Sequence, residues 1–289
     1  ERGGSRPVLA FISEADEAQG VIFAGNELPV VVEELASIGL EVWLSSLAYG
    51  ATSVLLVNGG SVPAGVAVEL TGQLAIAGEI LAALGYPRDA VAMVDAGDLA
   101  GGEHGSVMPE MAPAAFSGVG GKRQTAFMAV DHLFQQAQQP RPMVSLPAGA
   151  PFGTAEVDDS ACTLCLACVG ACPGKALQQG RGEPSLSFIE ANCLQCGLCT
   201  RTCPENAIWI TPRLVFDRDK RSDVRLLYRE PPFCCVSCGK PFATRSVIDS
   251  MLAKLEGHWM FESERARRRL KMCQDCRTVD ALQDPTAME

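Results

Sequence analysis

Hydrophobic positions in the first half of the chain fall into two patterns, short unbroken runs and longer runs at helical spacing. Residues 8–12 (VLAFI), 53–57 (SVLLV) and 90–94 (AVAMV) are unbroken and rich in β-branched residues or Leu, as buried parallel strands require. Between them, residues 26–29 lead into 30–49, whose apolar spacing predicts a helix ending at Gly50. Residues 64–84 predict a long helix closed by Gly85-Tyr86-Pro87. Strand, helix, strand, helix, strand is the order of a small doubly wound α/β sheet. Residues 97–120 are rich in Gly, Ala and Pro and read as irregular, and 122–138 predict a further amphipathic helix. Residues 140–151 carry Pro140, Pro142, Pro147 and Pro151 and read as a stiff linker. The expected layout is an α/β domain over 1–139, a linker over 140–151, a second domain over 152–215 and a small third domain over 225–280.

The most membrane-like stretch is 62–84. Glu69, Gln73 and Glu79 interrupt it within an arc of about 120°, the pattern of a buried helix with one wet edge, so no membrane span is predicted. Residues 1–160 carry 6 Lys and Arg against 19 Asp and Glu, which argues against binding nucleic acid or anionic lipid. No secretory leader is visible and a cytoplasmic location is expected; the chain starts at Glu1 without an initiator Met, which leaves an upstream segment open.

In such a sheet ligands sit beyond the carboxyl ends of the strands, at Asn58-Gly59-Gly60-Ser61 and Asp95-Ala96-Gly97-Asp98. Neither matches a nucleotide fingerprint: the G-x-G-x-x-G spacing and the P-loop Lys are missing, so a tight strand-to-helix turn is the plainer reading. His104 reads as an exposed loop residue, and Trp43 and Tyr49 as core or subunit-contact residues.

Chemistry concentrates in the second half. All 13 cysteines lie between Cys162 and Cys276, and an odd number cannot all pair within one chain. Cys162, Cys165, Cys168 and Cys172-Pro173 recur 31 positions later as Cys193, Cys196, Cys199 and Cys203-Pro204. Two copies of C-x2-C-x2-C-x3-C-P resemble the bacterial-type two-cluster ferredoxin, an α+β fold. That resemblance implies one 4Fe-4S cluster held by Cys162, Cys165, Cys168 and Cys203 and a second by Cys193, Cys196, Cys199 and Cys172. Three thiols at x2 spacing wrap one cubane, and the fourth, before a proline that turns the chain away, reaches the other. Zinc sites usually show two C-x2-C pairs, not two quartets ending in Cys-Pro, and disulfides need an oxidising compartment. No catalytic nucleophile or base accompanies the quartets, so their chemistry is one-electron transfer supplied by the cofactor. Residues 184–190 and 207–211 are expected as short flanking strands.

A third group pairs Cys235-x2-Cys238 with Cys273-x2-Cys276, and Gly239 suits a turn around a metal. Two predicted helices, 244–256 and 262–272, fill the gap between the pairs. One structural zinc in a knuckle-like domain is the preferred reading; a third iron–sulfur centre and metal-free or redox-active thiols are the alternatives. Cys234 is left over, with Cys234 in place of Cys235, or His258, as alternative ligands. Arg265, Arg267, Arg268, Arg269 and Lys271 form a basic run that spreads around a helix, which suggests a solvated or ion-paired face, with docking of an acidic redox partner as the alternative.

Residues Cys162 to Cys203, Thr211-Pro-Arg-Leu, Cys238-Gly-Lys-Pro-Phe, 251–258 (MLAKLEGH), Met260-Phe261 and 270–277 (LKMCQDCR) together resemble the carboxyl-terminal part of a bacterial 4Fe-4S dicluster protein family. That family is associated with molybdenum-dependent formate dehydrogenase and its accessory proteins. The first domain is similar in element order to the delta subunit of methyl-viologen-reducing hydrogenase, which binds a 2Fe-2S cluster through cysteines that residues 1–161 lack. The expected protein is an electron carrier or electron-transfer subunit whose partner is a redox enzyme such as formate dehydrogenase or another molybdoenzyme. A molybdoenzyme maturation factor and a flavin- or nucleotide-binding reductase component are the rivals.

Overall fold

A computed structural model of the chain describes residues 7–23, 25–99, 104, 106–118, 120–180 and 182–285. The chain divides into two compact units, Glu1–Gly153 with Pro212–Arg221, and Thr154–Thr211 with Ser222–Glu289. The segment expected as a third domain therefore falls in the same unit as the cysteine repeat.

The first unit is built on four parallel strands, β1 (Val8–Ser13), β2 (Glu27–Val32), β3 (Ser53–Asn58) and β4 (Val91–Asp95), in the order β2-β1-β3-β4. Three of these strands follow from the hydrophobic runs. β2 does not: residues 30–32 were expected to open a helix, yet Val30, Val31 and Val32 pair with β1, and helix α2 starts only at Leu40 (Leu40–Ala48). β-Branched side chains favour the pleated surface, and Pro29 is tolerated because β2 is an edge strand.

Helix α2, α3 (Ala64–Ala83) and α4 (Lys122–Gln136) share one core with Phe11, Val54 and Leu56. Ala10, Ile12, Leu55 and Val57 point to the opposite face, which is closed by Leu99 with Val21 and Phe23. Among the described residues, the connection between β1 and β2 holds only the four-residue helix α1 (Glu14–Glu17), and the expected doubly wound sheet carries full-length helices on one face and loops on the other. Among the described residues α3 is the one helix long and apolar enough to cross a membrane; Leu70, Ile76, Ile80 and Leu81 are buried in the core, and Glu69 lies on its wet edge. The irregular stretch expected over 97–120 falls partly outside the described residues.

The proline-rich segment 140–151, expected as a linker, is packed. It contains β5 (Met143–Ser145), antiparallel to the end of a later strand through Val144 opposite Leu214, and Val144, Leu146 and Ala150 are buried. Its prolines lack N–H donors but their carbonyls still accept, as Pro142 does from the Phe216 N–H at 3.0 Å.

Strand β6 (Gly153–Val157) leads into the second unit, which contains α5 (Ala167–Ala171), β7 (Leu177–Gln179), β8 (Ser185–Phe188), α6 (Leu198–Thr202) and β9 (Ile208–Val215). β9 continues into the first unit, followed there by α7 (Arg218–Ser222). β10 (Arg225–Arg229) then pairs antiparallel with β8 to give the sheet β10-β8-β7. The hairpin β11 (Pro232–Cys234) and β12 (Pro241–Thr244) precedes α8 (Arg245–Lys254), α9 (Glu264–Arg269) and α10 (Gln274–Leu282). The helix expected over 262–272 is thus shorter, and α10, whose first turn holds Cys276, is an addition.

Candidate metal centres

The 31-residue repeat is reproduced in the backbone. Leu164 and Gln195 have φ of 53° and 54°, Leu166 and Gly197 have 60° and 73°, and Lys175 and Asn206 have 52° and 50°. Left-handed conformations are costly for residues with a Cβ, so their recurrence at equivalent positions marks a loop shape that both copies need. Alternating left- and right-handed residues turn successive N–H groups to one side, a concavity suited to anionic sulfur. The amides of Ala176 and Ala207, again 31 apart, donate to Cys172 Sγ and Cys203 Sγ, each at 3.3 Å.

The loops leave two small hollows, one in each half of the repeat. One is lined by Cys162, Cys165, Cys168 and Cys203 with Leu164 and Ile208, the other by Cys172, Cys193, Cys196 and Cys199 with Phe188 and Ile210. Each hollow thus takes three thiols from one copy and the fourth from the other. Burial and the neighbouring thiolates, Cys162 first, push the Cys168 thiol up to about 12. Burial, followed by Cys193, pushes Cys199 up to about 11. Four thiolates this close need a cationic centre to lose their protons together.

The copies differ in detail. Gln195, where the first copy has Leu164, donates through Nε2 to Cys193 Sγ at 3.3 Å and to the Thr154 carbonyl at 3.1 Å. Gly174 has Glu205 as its counterpart, and a Cβ at Gly174 would run into the Asn192 carbonyl.

Residues 161–208 match the protein family described as 4Fe-4S dicluster domain. They are a 4Fe-4S ferredoxin module. The ferredoxin-type protein NapF of Escherichia coli strain K12 is 44% identical over 46 residues, as are its counterparts from E. coli O6:H1 and O157:H7. The matched segment covers 16% of this chain and spans 28% of each of these relatives. Iron–sulfur modules of this kind carry single electrons.

The third cysteine group also converges. The Sγ atoms of Cys235, Cys238, Cys273 and Cys276 all lie within 4.8 Å of one another, and Cys238 and Cys273 are 3.7 Å apart. Gly239, at φ 75°, makes the turn after Cys238, and its amide donates to the Cys235 carbonyl at 2.9 Å. Burial opposes ionisation of Cys235, but amides of Cys273, Cys238 and Ser237 outweigh it and bring this thiol down to about 6. Its hydrogen bond with Cys238, above all, pushes Cys276 up to about 12. Cys234 is exposed on β11 and stands outside the group, and His258 Nδ1 accepts from the Met260 amide at 3.3 Å. In the basic run, Arg265 and Arg269 pair with Asp280 of α10 and with Asp284 just beyond its end, an ion-paired face that sequence spacing alone could not assign to a partner.

In the first unit the structure brings an unforeseen residue, Asp16, into the loop after β3. Its carboxylate accepts from the Gly59 amide at 2.9 Å, the Ser61 amide at 3.1 Å and the Ser61 hydroxyl at 2.8 Å, while the Gly60 amide donates to Asn58 Oδ1 at 3.0 Å. The amides that would cradle a phosphate at this strand-order reversal are engaged by the chain's own groups.

Proposed function

We propose that this chain passes single electrons through two 4Fe-4S clusters to or from a redox enzyme. The clusters are held by Cys162, Cys165, Cys168 and Cys203, and by Cys193, Cys196, Cys199 and Cys172. The observation that carries this reading is the pair of hollows, each lined by three cysteines of one copy and one of the other. Bound cubanes supply the one-electron chemistry. The protein contributes the thiolates, the amide donors to sulfur and an apolar lining that limits water.

The third group we assign to one mononuclear ion, zinc, as a structural clamp. Four thiolates around a zinc at about 2.3 Å have edges of about 3.8 Å, which agrees with the 3.7 Å separation of Cys238 and Cys273. Thiolates around a 4Fe-4S cubane stand on the order of 6 Å apart, wider than the 4.8 Å limit of this group. The first partner to try is a formate dehydrogenase or another molybdoenzyme, on the sequence resemblance of residues 238–277. A nucleotide-binding reductase is disfavoured by the Asp16 carboxylate in the loop after β3. A location in a reducing compartment such as the cytoplasm suits thirteen cysteines of which none is joined to another.

Anaerobic purification followed by metal analysis tests this reading. About eight irons and one zinc per chain support it, about twelve irons and no zinc replace the zinc site by a cubane, and iron well below eight removes the two-cluster reading. In Cys172→Ala the Cys193–Cys199 cluster should be the one disturbed; disturbance confined to the Cys162–Cys168 cluster refutes the crossed ligation.

A further inference from the structure

The two copies of the repeat present different surfaces. Around the second quartet, exposed Cys196 is flanked by Leu194 and Leu198, 43% and 41% exposed. The equivalent positions around Cys165 are Thr163, which is buried, and Ala167. Cys165 is itself exposed, but the residues beside it are held by the carboxyl-terminal segment. The Thr244 hydroxyl donates to the Thr163 carbonyl at 3.0 Å, and Lys254 of α8 pairs at 2.6 Å with Glu205, which lines the first hollow.

Charge differs in the same sense. Beside the second quartet stand Lys175, two residues past the Pro173 that lines the hollow, and Arg201 of α6. Both are exposed and neither makes an ion pair among the described residues. Their repeat equivalents are the uncharged Asn206 and Gly170. The first quartet has acidic neighbours instead: Glu205 in its lining and Glu230, whose charge acts on the Cys162 thiol.

We infer that the collar of Leu194 and Leu198 around Cys196, with Lys175 and Arg201 at its rim, is the docking surface for an acidic redox protein. Two exposed leucines at the centre supply apolar burial, and two cations at the edge select and steer a partner with a negative rim. The first quartet offers no such collar: Thr163 is buried, Glu205 is already paired with Lys254, and the equivalents of the two cations are uncharged, so the surface gives the module an outward end. This rests on the proposed electron-transfer role.

Flavodoxin, an acidic one-electron protein, is a suitable probe. Its affinity for the iron-loaded full chain is measured by calorimetry at low and high salt, alongside its reduction rate. Leu194→Asp/Leu198→Asp and Lys175→Glu/Arg201→Glu should each weaken binding by about tenfold or more. Arg218→Glu on α7, an exposed charge reversal outside the collar, should leave it unchanged. Binding by the wild type should weaken as salt rises. Equal affinity across the variants, equal loss in Arg218→Glu, or no flavodoxin binding by fully iron-loaded wild type overturns the docking surface. Iron content and cluster absorbance read the underlying role separately: their absence in the wild type sinks that role, whereas their presence with an indifferent collar sinks only the surface.

Discussion

The carboxylate of Asp16 accepts the Gly59 amide at 2.9 Å, although 43 residues separate the two. A Cβ on Gly59 would come within 2.7 Å of that carboxylate, so the glycine and the aspartate require each other. Asp16→Ala would strand the Gly59 and Ser61 amides and is expected to cost about 1–3 kcal/mol. Burial pushes Asp16 up, but the Ser61 hydroxyl, the Gly59 amide, Ser13 and the Ser61 amide together hold its carboxyl below 3.8. A depressed folded pKa means that the contribution is complete above 3.8 and is lost as pH falls through the folded value. Urea unfolding of wild type and Asp16→Ala, compared at neutral pH and at successively lower pH, should show the gap narrowing only below about 4.

Gly174 approaches the Asn192 carbonyl so closely that no side chain fits. Gly174→Ala should push apart the two chain segments that line the second hollow, leaving the first hollow intact. Iron analysis of the variant is expected to fall from about eight toward about four per chain, with cluster absorbance falling in proportion.

The Gln195 side chain of the second loop donates to a ligand sulfur, Cys193 Sγ, at 3.3 Å. Hydrogen bonds to sulfur favour the more negative, reduced state. Gln195→Leu, which restores the residue type of Leu164, should lower the potential of the second cluster and leave the first in place. A redox titration followed by electron paramagnetic resonance measures both; an unmoved second potential would show that the amide does not act on the cluster.

Arg221 is 3% exposed and reaches Asp131 of α4 at 2.6 Å, with its guanidinium 4.4 Å from the centre of the Phe127 ring and donating to the Val215 and Phe216 carbonyls. Removing one member leaves a buried charge unmatched. Asp131→Ala should destabilise the first unit by about 3–5 kcal/mol, while Arg221→Met/Asp131→Leu should cost markedly less than the sum of the single changes. A double-mutant cycle from chemical unfolding gives the coupling directly.

What could be read along the chain depended on the range of the forces involved. The cysteine quartets were legible because a cubane demands thiols at fixed short spacings, and the same demand recurs in the backbone at Leu164 and Gln195. β3 and α3 were legible because their burial is written in consecutive residues. β2 was not, since Val30 to Val32 suit either a helix or a strand and only the pairing with β1 decides. The four prolines of 140–151 masked β5, whose partner lies some 70 residues further along. Asp16 was hidden for the same reason: one of three acidic residues in a four-residue helix, it carries no local sign that two distant amides await it. The two later C-x2-C pairs were visible by spacing, but their convergence, and the exclusion of Cys234, needed the fold of α10.

The Phe152 carbonyl accepts the Arg213 amide at 3.1 Å, so the chain leaves the first unit and re-enters it at neighbouring points. During synthesis the ribosome must therefore produce the whole cysteine repeat before it delivers Leu214, Phe216 and Arg221 to the core they complete. A nascent chain halted at residue 153 would lack the strand that pairs with β5 and the cation that neutralises Asp131. Maturation of the first unit thus waits on translation through the iron-binding loops, and a ribosome-stalled fragment ending before residue 212 should remain protease-sensitive over residues that are protected in the finished protein.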